Sequence, residues 1–285
     1  MRRRKSSIPM GSFNPSYHYE MLIDQRRVKP FEEAIRSAIS SSDVVLDIGT
    51  GSGILAILAA RAGAKKVYAI ERMADMRQIA ESNFAREQLP ALNYDIISED
   101  ATKELNLCEP IDLVICELLS TWLVTEQQAS VCINLQRYLK ASAKMIPARM
   151  NNFITAVHAP LRYFDTTIDA PYYIRELRNS QAIKLSNTVR SHTTDFMTLE
   201  SHNVNVTNIE LICHADGIIN AVLLESNAVL NDKYLVDDGQ TLFLPYIVPL
   251  KRSIHVSDGE RLKASIEYNY GLGWNQLVIS LNTEK

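Results

Sequence analysis

Apolar and polar positions follow one another in two rhythms along this chain of 285 residues. In the first half, short unbroken apolar runs end in turn residues and give way to stretches with helical spacing. The runs at 44–48, 67–70, 94–98 and 113–116 read as strands, and the stretches at 30–40, 54–62, 73–87 and 126–139 as helices. Unbroken runs such as Val44-Val45-Leu46 suit strands covered on both faces. Their alternation with helices predicts a doubly wound parallel sheet. At Pro147 the rhythm changes to strands parted by polar turns, at 152–158, 204–213, 217–225, 241–248, 261–268 and 276–281. Gly271-Leu272-Gly273 falls between the last two, as in a hairpin with a slightly long loop. This half predicts an antiparallel barrel or sandwich. The segment 165–200 reads as irregular or partly helical, an excursion from it. Two domains are expected, 1–147 and 148–285.

The first strand runs into Asp47-Ile48-Gly49-Thr50-Gly51-Ser52-Gly53, and the second ends at Glu71. Gly49, Gly51 and Gly53 let a backbone turn approach a ligand without interference from a Cβ. Such a turn at the carboxyl end of a sheet is a nucleotide-type pocket. Charge narrows the ligand. A pyrophosphate laid on the following helix N-terminus would be repelled by Asp47, two residues before the first glycine. An acid there suits an ammonium group, such as the methionyl end of S-adenosylmethionine, and Glu71 can accept ribose hydroxyls. A phosphate cofactor and a glycine turn without ligand are the alternatives. The run resembles the first motif of the class I methyltransferases.

Composition narrows the partners. The chain is 46% hydrophobic with a formal net charge of −3, which gives no general attraction to nucleic acid. The basic start, 2–5, reads as a solvated tail. No apolar run approaches a membrane span and none follows the basic start as a signal peptide requires, so a cytoplasmic protein is expected. Four cysteines and six histidines are dispersed without metal-ligand spacing, and no metal is expected.

Glu117 and Glu126 stand nine residues apart, at the two ends of the largely apolar segment Leu118-Leu119-Ser120-Thr121-Trp122-Leu123-Val124-Thr125. Buried carboxylates need a cation or several donors, and a guanidinium can pair with two at once. A strand-end structural acid and a helix N-terminal acid fit the same residues.

The pair has this spacing in a known family. The chain resembles the protein arginine N-methyltransferases, whose substrate loop carries two glutamates at this separation. His18-Tyr19-Glu20-Met21-Leu22-Ile23-Asp24-Gln25-Arg26-Arg27 is similar to the segment before that family's cofactor domain. Met145-Ile146-Pro147-Ala148-Arg149 is similar to its junction with a β-barrel. The resemblance covers about 16–150 well and the remainder less. It implies a Rossmann-like methyltransferase sheet with an N-terminal helical segment over 1–147, and a mainly antiparallel β-barrel substrate domain over 148–285.

By the same resemblance, Glu117 and Glu126 would clamp the acceptor, with Glu126 or Asp24 helping to remove a proton. Met21 would pack near the sulfonium and Arg27 would grip the methionyl carboxylate. Asp47 with Gly49, Gly51 and Gly53 would hold the methionyl amine side, Glu71 the ribose, and Asp100 with Ala101 and Thr102 the adenine edge. Arg27 also fits an ordinary surface arginine, and Asp100 an exposed loop acid.

The chain departs from the family in three places. The late Thr-His-Trp loop is replaced by Val236-Asp237-Asp238-Gly239 before Gln240-Thr241-Leu242-Phe243. The N-terminal aromatic motif is not evident, with Phe13, Tyr17 or Tyr19 as substitutes. The helical dimerisation arm reduces to Tyr172-Tyr173-Ile174-Arg175-Glu176-Leu177. A homodimer is an expectation of the resemblance alone. Three functions stay open: methyl transfer to arginine in a protein or peptide, transfer to another amine or a small guanidino compound, and a weakly catalytic cofactor-binding regulatory role.

Overall fold

The chain is described from a computed structural model, which covers residues 19, 21–87, 93–174, 181–237 and 243–283. Helix α1 (Gln25–Ala38) opens at Asp24, whose side chain accepts the Arg26 N–H at 3.1 Å. That bond satisfies one of the donors a helix leaves open in its first turn. Phe31, Ala34 and Ile35 lie on its buried face, at the spacing of one helical stripe. The helix begins ahead of the predicted residue 30 and carries Pro30 inside it.

Next come β1 (Val44–Ile48), α2 (Ile54–Arg61), β2 (Lys66–Ile70), α3 (Ala74–Arg86), β3 (Tyr94–Ile97), β4 (Ile111–Cys116), α4 (Gln128–Leu135) and β5 (Leu139–Ile146). The strands form one parallel sheet in the order β3-β2-β1-β4-β5. This is the expected doubly wound sheet. Every residue of β1 is buried, as its unbroken apolar run requires. The chain winds from β1 outward to β3 and then returns to β4 on the other side of β1. The carboxyl ends of β1 and β4 therefore part into a crevice, the usual place for a ligand in such sheets.

The last helix of this half is shorter than the sequence suggests. The helix expected over 126–139 ends at Leu135, a 3-10 turn follows over Gln136–Tyr138, and Leu139 opens β5. Lys140, Ser142 and Lys144 alternate with Leu139, Ala141, Ala143 and Met145 at the period of a strand, although the alanines make its apolar face weak. As a sheet edge it can turn the polar residues to solvent.

After Pro147 the chain is all β: β6 (Arg149–His158), β7 (Arg162–Tyr163), β8 (Thr166–Thr167), β9 (Tyr172–Tyr173), β10 (Ile183–Lys184), β11 (Val189–Asp195), β12 (Asn203–Ile212), β13 (Gly217–Val229), β14 (Leu235–Asp237), β15 (Tyr246–Val256), β16 (Arg261–Asn269) and β17 (Val278–Thr283). A larger antiparallel sheet runs β10-β6-β13-β15-β9, with β11 also on β6 and β14 on β13. A smaller one runs β12-β16-β17. Together they make the barrel-like second half.

Among the described residues of 165–200 much is irregular, as expected, and strands stand where helix was the alternative. β11 pairs with β6 from Val189 to Asp195 across one bulge, and Tyr172-Tyr173 pairs with Tyr246-Ile247 as a strand. Arg190, Ser191, His192, Thr193 and Thr194 carry no apolar alternation, and β6 supplies the pairing instead. One core joins the halves: Leu46 and Ile115 of the parallel sheet belong to the same buried cluster as Ile154 and Leu224 of the antiparallel one. No helix among the described residues is long and apolar enough to cross a membrane.

Candidate active site

A cavity of about 680 Å³ opens at the carboxyl ends of β1, β2 and β4. The start of α1 and the residues around β9 and β15 also line it. Its size is that of a small-molecule site.

β1 delivers Asp47, 1% exposed, whose carboxylate accepts the Thr50 hydroxyl at 2.6 Å. Burial pushes its pKa up to about 7 against that hydrogen bond, with Glu117 and Glu71 adding like charge. Gly49 follows at φ +66°, and a Cβ there would stand 2.7 Å from Leu118 Cδ2. The backbone conformation disfavours a side chain there, and Leu118 would have to move to admit one. At the end of β2, Glu71 receives the Gly51 N–H on Oε2 at 3.0 Å and the Met73 N–H on Oε1 at 2.8 Å. Gly51 thus acts from behind, by aiming Glu71. Gly53 sits at φ +87° ahead of α2, against Phe84. Gly49 lines the cavity, and Gly51 and Gly53 stand outside its wall.

Met21, Asp24 and Arg27 enter from the α1 side. Arg27 is buried, donates from Nη1 to the Met21 carbonyl at 3.1 Å, and pairs through Nη2 with Glu117 Oε2. Its Nε is buried without a hydrogen-bond partner among the described residues. Asp24 lines the cavity as well as capping α1. On the far side, Asp100 accepts the Thr102 N–H at 3.1 Å and hydroxyl at 2.7 Å, and these bonds hold its pKa down. Ala101 is fixed beside it by Asn134 Nδ2, which donates to its carbonyl at 2.9 Å.

Glu117 follows directly on β4, and Glu126 lies on the same cavity at the far end of the apolar loop. Burial raises the Glu117 pKa against the pull of Arg27. Burial, and then the charge of Glu117, carry Glu126 up to about 7, while Arg72 pulls the other way.

The loop between the glutamates is held in a conformation that L-residues seldom adopt. Trp122 stands at φ 58° and Leu123 at φ 54°. The β half imposes it. Trp122 is fully buried and donates from Nε1 to the carbonyls of Phe153 and Glu225 at 3.2 and 3.1 Å. Its backbone N–H goes to Ser226 Oγ at 3.1 Å, and its carbonyl accepts from the Tyr268 hydroxyl at 2.8 Å. Thr121 Oγ1 donates to the Leu244 carbonyl at 2.6 Å.

Several residues at the site escaped the sequence reading. Gln128 is wholly buried, and its Oε1 receives the Leu118 N–H at 2.8 Å, fixing the backbone next to Glu117. Ser120 Oγ accepts the N–H groups of Thr125 and Glu126, each at 3.2 Å. Arg72, Glu99, Tyr173, Phe243 and Tyr246 also line the cavity. Ser120 and Gln128 had a local signal, being polar residues in or beside an apolar stretch; the tyrosines had none.

The cavity thus gathers Met21, Asp24, Arg27, Asp47, Gly49, Glu71, Asp100, Ala101, Glu117 and Glu126. The readings placed on residues 2–5, Phe13, Tyr17, His18, Glu20, 175–177 and 238–242 lie outside the described residues, and Tyr19 is exposed.

The family model of ribosomal protein L11 methyltransferase (PrmA) matches residues 32–145. A protein of Methanocaldococcus jannaschii, named Uncharacterized protein MJ1452, is 32% identical over 271 residues, which is 94% of this chain and 97% of that one. The probable protein arginine N-methyltransferase 6 of Arabidopsis thaliana is 28% identical over 51% of this chain, which spans 34% of that relative's length. In three dimensions, the chain is similar to the Trypanosoma brucei PRMT1 enzyme-prozyme heterotetrameric complex with AdoHcy, with a TM-score of 0.77 at 19% identity over 94% of both chains. That likeness is one of fold: a methyltransferase sheet followed by a barrel. The chain belongs to one family with the Methanocaldococcus protein.

Proposed function

We propose that this chain is an S-adenosylmethionine-dependent N-methyltransferase that acts on the guanidinium of arginine in a protein or peptide, with 1–147 as its cofactor domain and 148–285 as its substrate domain. The observation that carries the reading is the pair of carboxylates, Glu117 and Glu126, turned into the cavity that also holds Asp47, Arg27 and Glu71.

The residues fit the cofactor. Arg27 Nε is a buried donor without a hydrogen-bond partner among the described residues, Asp47 is a buried carboxylate suited to an ammonium, and Gly49 presents bare backbone at φ +66°. Glu71, held by two backbone N–H groups, keeps lone pairs for ribose hydroxyls. Met21, Asp100 and Ala101 would complete the site on the sulfonium and adenine sides. When bound, the cofactor supplies a methyl group already activated on a positively charged sulfur.

The protein must then bring one guanidinium nitrogen into line and make it nucleophilic. A guanidinium is delocalised and stays protonated at neutral pH. Two carboxylates offset its charge and draw its protons, leaving electron density on the attacking nitrogen. Glu126, with a pKa of about 7, is the group placed to take the proton that the methylated nitrogen gives up.

A second reading is transfer to another amine or a small guanidino compound, and one observation favours its amine form. Glu117 is already paired with Arg27, which leaves Glu126 as the carboxylate facing a cation that needs only one partner.

Labelled methyl transfer to arginine-rich peptides and to free arginine tests both readings, with Glu117→Gln as control. Label on peptide arginine, lost in the variant while cofactor still binds, is expected. Label confined to free arginine or to an amine would move the assignment to the second reading, and full activity in the variant would remove the glutamate clamp.

A further inference from the structure

Beyond the glutamates, the cavity has a wall of stacked rings. Tyr246, at the start of β15, lies with its ring centroid 4.1 Å from that of Trp274 at an interplanar angle of 30°. Tyr173 of β9 meets Tyr246 edge-on at 6.1 Å and 65°. Both tyrosines line the cavity, and Tyr173 is 48% exposed.

The wall is fastened to the loop that carries Glu126. Gly271 N–H donates to the Leu123 carbonyl at 2.9 Å, Gly273 N–H to the Val124 carbonyl at 2.8 Å, and Gln127 Nε2 to the Gly271 carbonyl at 3.1 Å. Trp274 follows directly on this clip. The turn between β16 and β17 is therefore part of the site's frame, although its sequence suggested only a hairpin loop.

Charge indicates what the rings face. Seven carboxylates and three arginines line the cavity, and one of those arginines is paired with Glu117. A cation entering among these acids favours the ionised form of Asp47 and Glu126, whose burial otherwise favours the protonated one. An aromatic face next to carboxylates binds a cation through the ring quadrupole, and a planar guanidinium also stacks on it.

Building on the proposed arginine chemistry, we propose that Tyr173 and Tyr246, backed by Trp274, form a cation–π wall that binds the acceptor's guanidinium side chain and favours it over an ammonium of similar reach. The Gly271–Gly273 clip keeps this wall in register with Glu126. The occupant is an arginine side chain on a peptide, chosen for its positive charge and its flat, weakly hydrated head.

Calorimetric binding to protein loaded with S-adenosylhomocysteine tests the wall without relying on turnover. The probes are an arginine–glycine peptide and its lysine and citrulline counterparts. Tyr173→Leu and Tyr246→Leu remove a ring and keep apolar bulk, and Tyr246→Phe keeps the ring. The arginine peptide is expected to bind wild type best, to weaken about 3- to 30-fold in either leucine variant, and to hold its affinity in Tyr246→Phe. S-adenosylhomocysteine affinity stays constant throughout. Unchanged peptide affinity in both leucine variants overturns the wall and leaves the arginine reading standing. Equal binding of the lysine peptide, with the same dependence on the rings, keeps the wall and overturns guanidinium selection. An arginine peptide that fails to bind wild type overturns both.

Discussion

Asp47→Asn should make the protein more stable and at the same time cost it the ammonium-binding carboxylate. The carboxyl is 1% exposed and keeps its proton up to about pH 7, whereas in an unfolded chain it releases it near 3.8. Between those values the native state binds more protons than the unfolded state, so stability falls as pH rises through the window and is flat above it. The gap of about 3 pH units corresponds to a ceiling of about 4 kcal/mol. Asp47 lines an open cavity, so water offsets part of this, and about 2 kcal/mol is expected above pH 7. For a chain of this size that is about 4 to 8 °C in Tm. Asparagine keeps an oxygen for the Thr50 hydroxyl, and any cost at the Ala56 backbone N–H, which the carboxylate also accepts, is the same at both pH values, so the change with pH isolates the charge. Thermal unfolding of parent and variant at pH 4 and pH 8, without ligand, should show near-equal Tm at the lower pH and a higher Tm for the variant at the upper one. A difference that does not change with pH, or a variant less stable at pH 8, would refute the argument that burial strains this carboxylate. S-adenosylmethionine affinity measured on the same samples should fall in the variant.

Further outcomes follow from the loop and its clip. Trp122→Ala empties a fully buried site and strands the carbonyls of Phe153 and Glu225, so a loss of about 4 kcal/mol in denaturant unfolding is expected. Methyl transfer should fall further than that loss explains, because the loop between the glutamates would relax. The turnover number at saturating cofactor should climb with pH and level off above about 7, as Glu126 becomes able to accept a proton; in Glu126→Gln that limb should disappear, and its persistence would assign the proton to another group. Gly271→Ala places a Cβ 2.9 Å from Gln127 Nε2 and 3.2 Å from the Glu126 carbonyl, at φ +73°. A cost of about 1 to 2 kcal/mol is expected in chemical denaturation, together with a higher KM for the acceptor and unchanged cofactor affinity.

The carboxylates at the ends of β1, β2 and β4 were legible because each stands where an apolar strand stops, a position that in a parallel sheet lies at the crevice. Asp47, Glu71 and Glu117 meet in one cavity for that reason. Strand β11 was not legible, because it takes its register from β6 and lacks period-two alternation; β5 does alternate, with Leu139, Ala141, Ala143 and Met145 between Lys140, Ser142 and Lys144, but its alanines mark only a weak apolar face. Tyr173 and Tyr246 gave no signal, since no local pattern marks a ring that faces a cavity built by distant segments. Gly51 has the positive φ that a glycine turn suggests, but what it does there, donating to Glu71, depends on the path of the turn.

By itself, the amino-acid sequence determined the alternation of strands and helices, the change of rhythm at Pro147 and the acids at the strand ends, because these follow from local periodicity and from the cost of burying charge. Only the tertiary structure decided that Arg27 pairs with Glu117, that Trp122 anchors its loop in the β half, and that the turn at Gly271 braces the residues around Glu126. Each of those contacts joins segments whose separation along the chain carries no information about their distance in space.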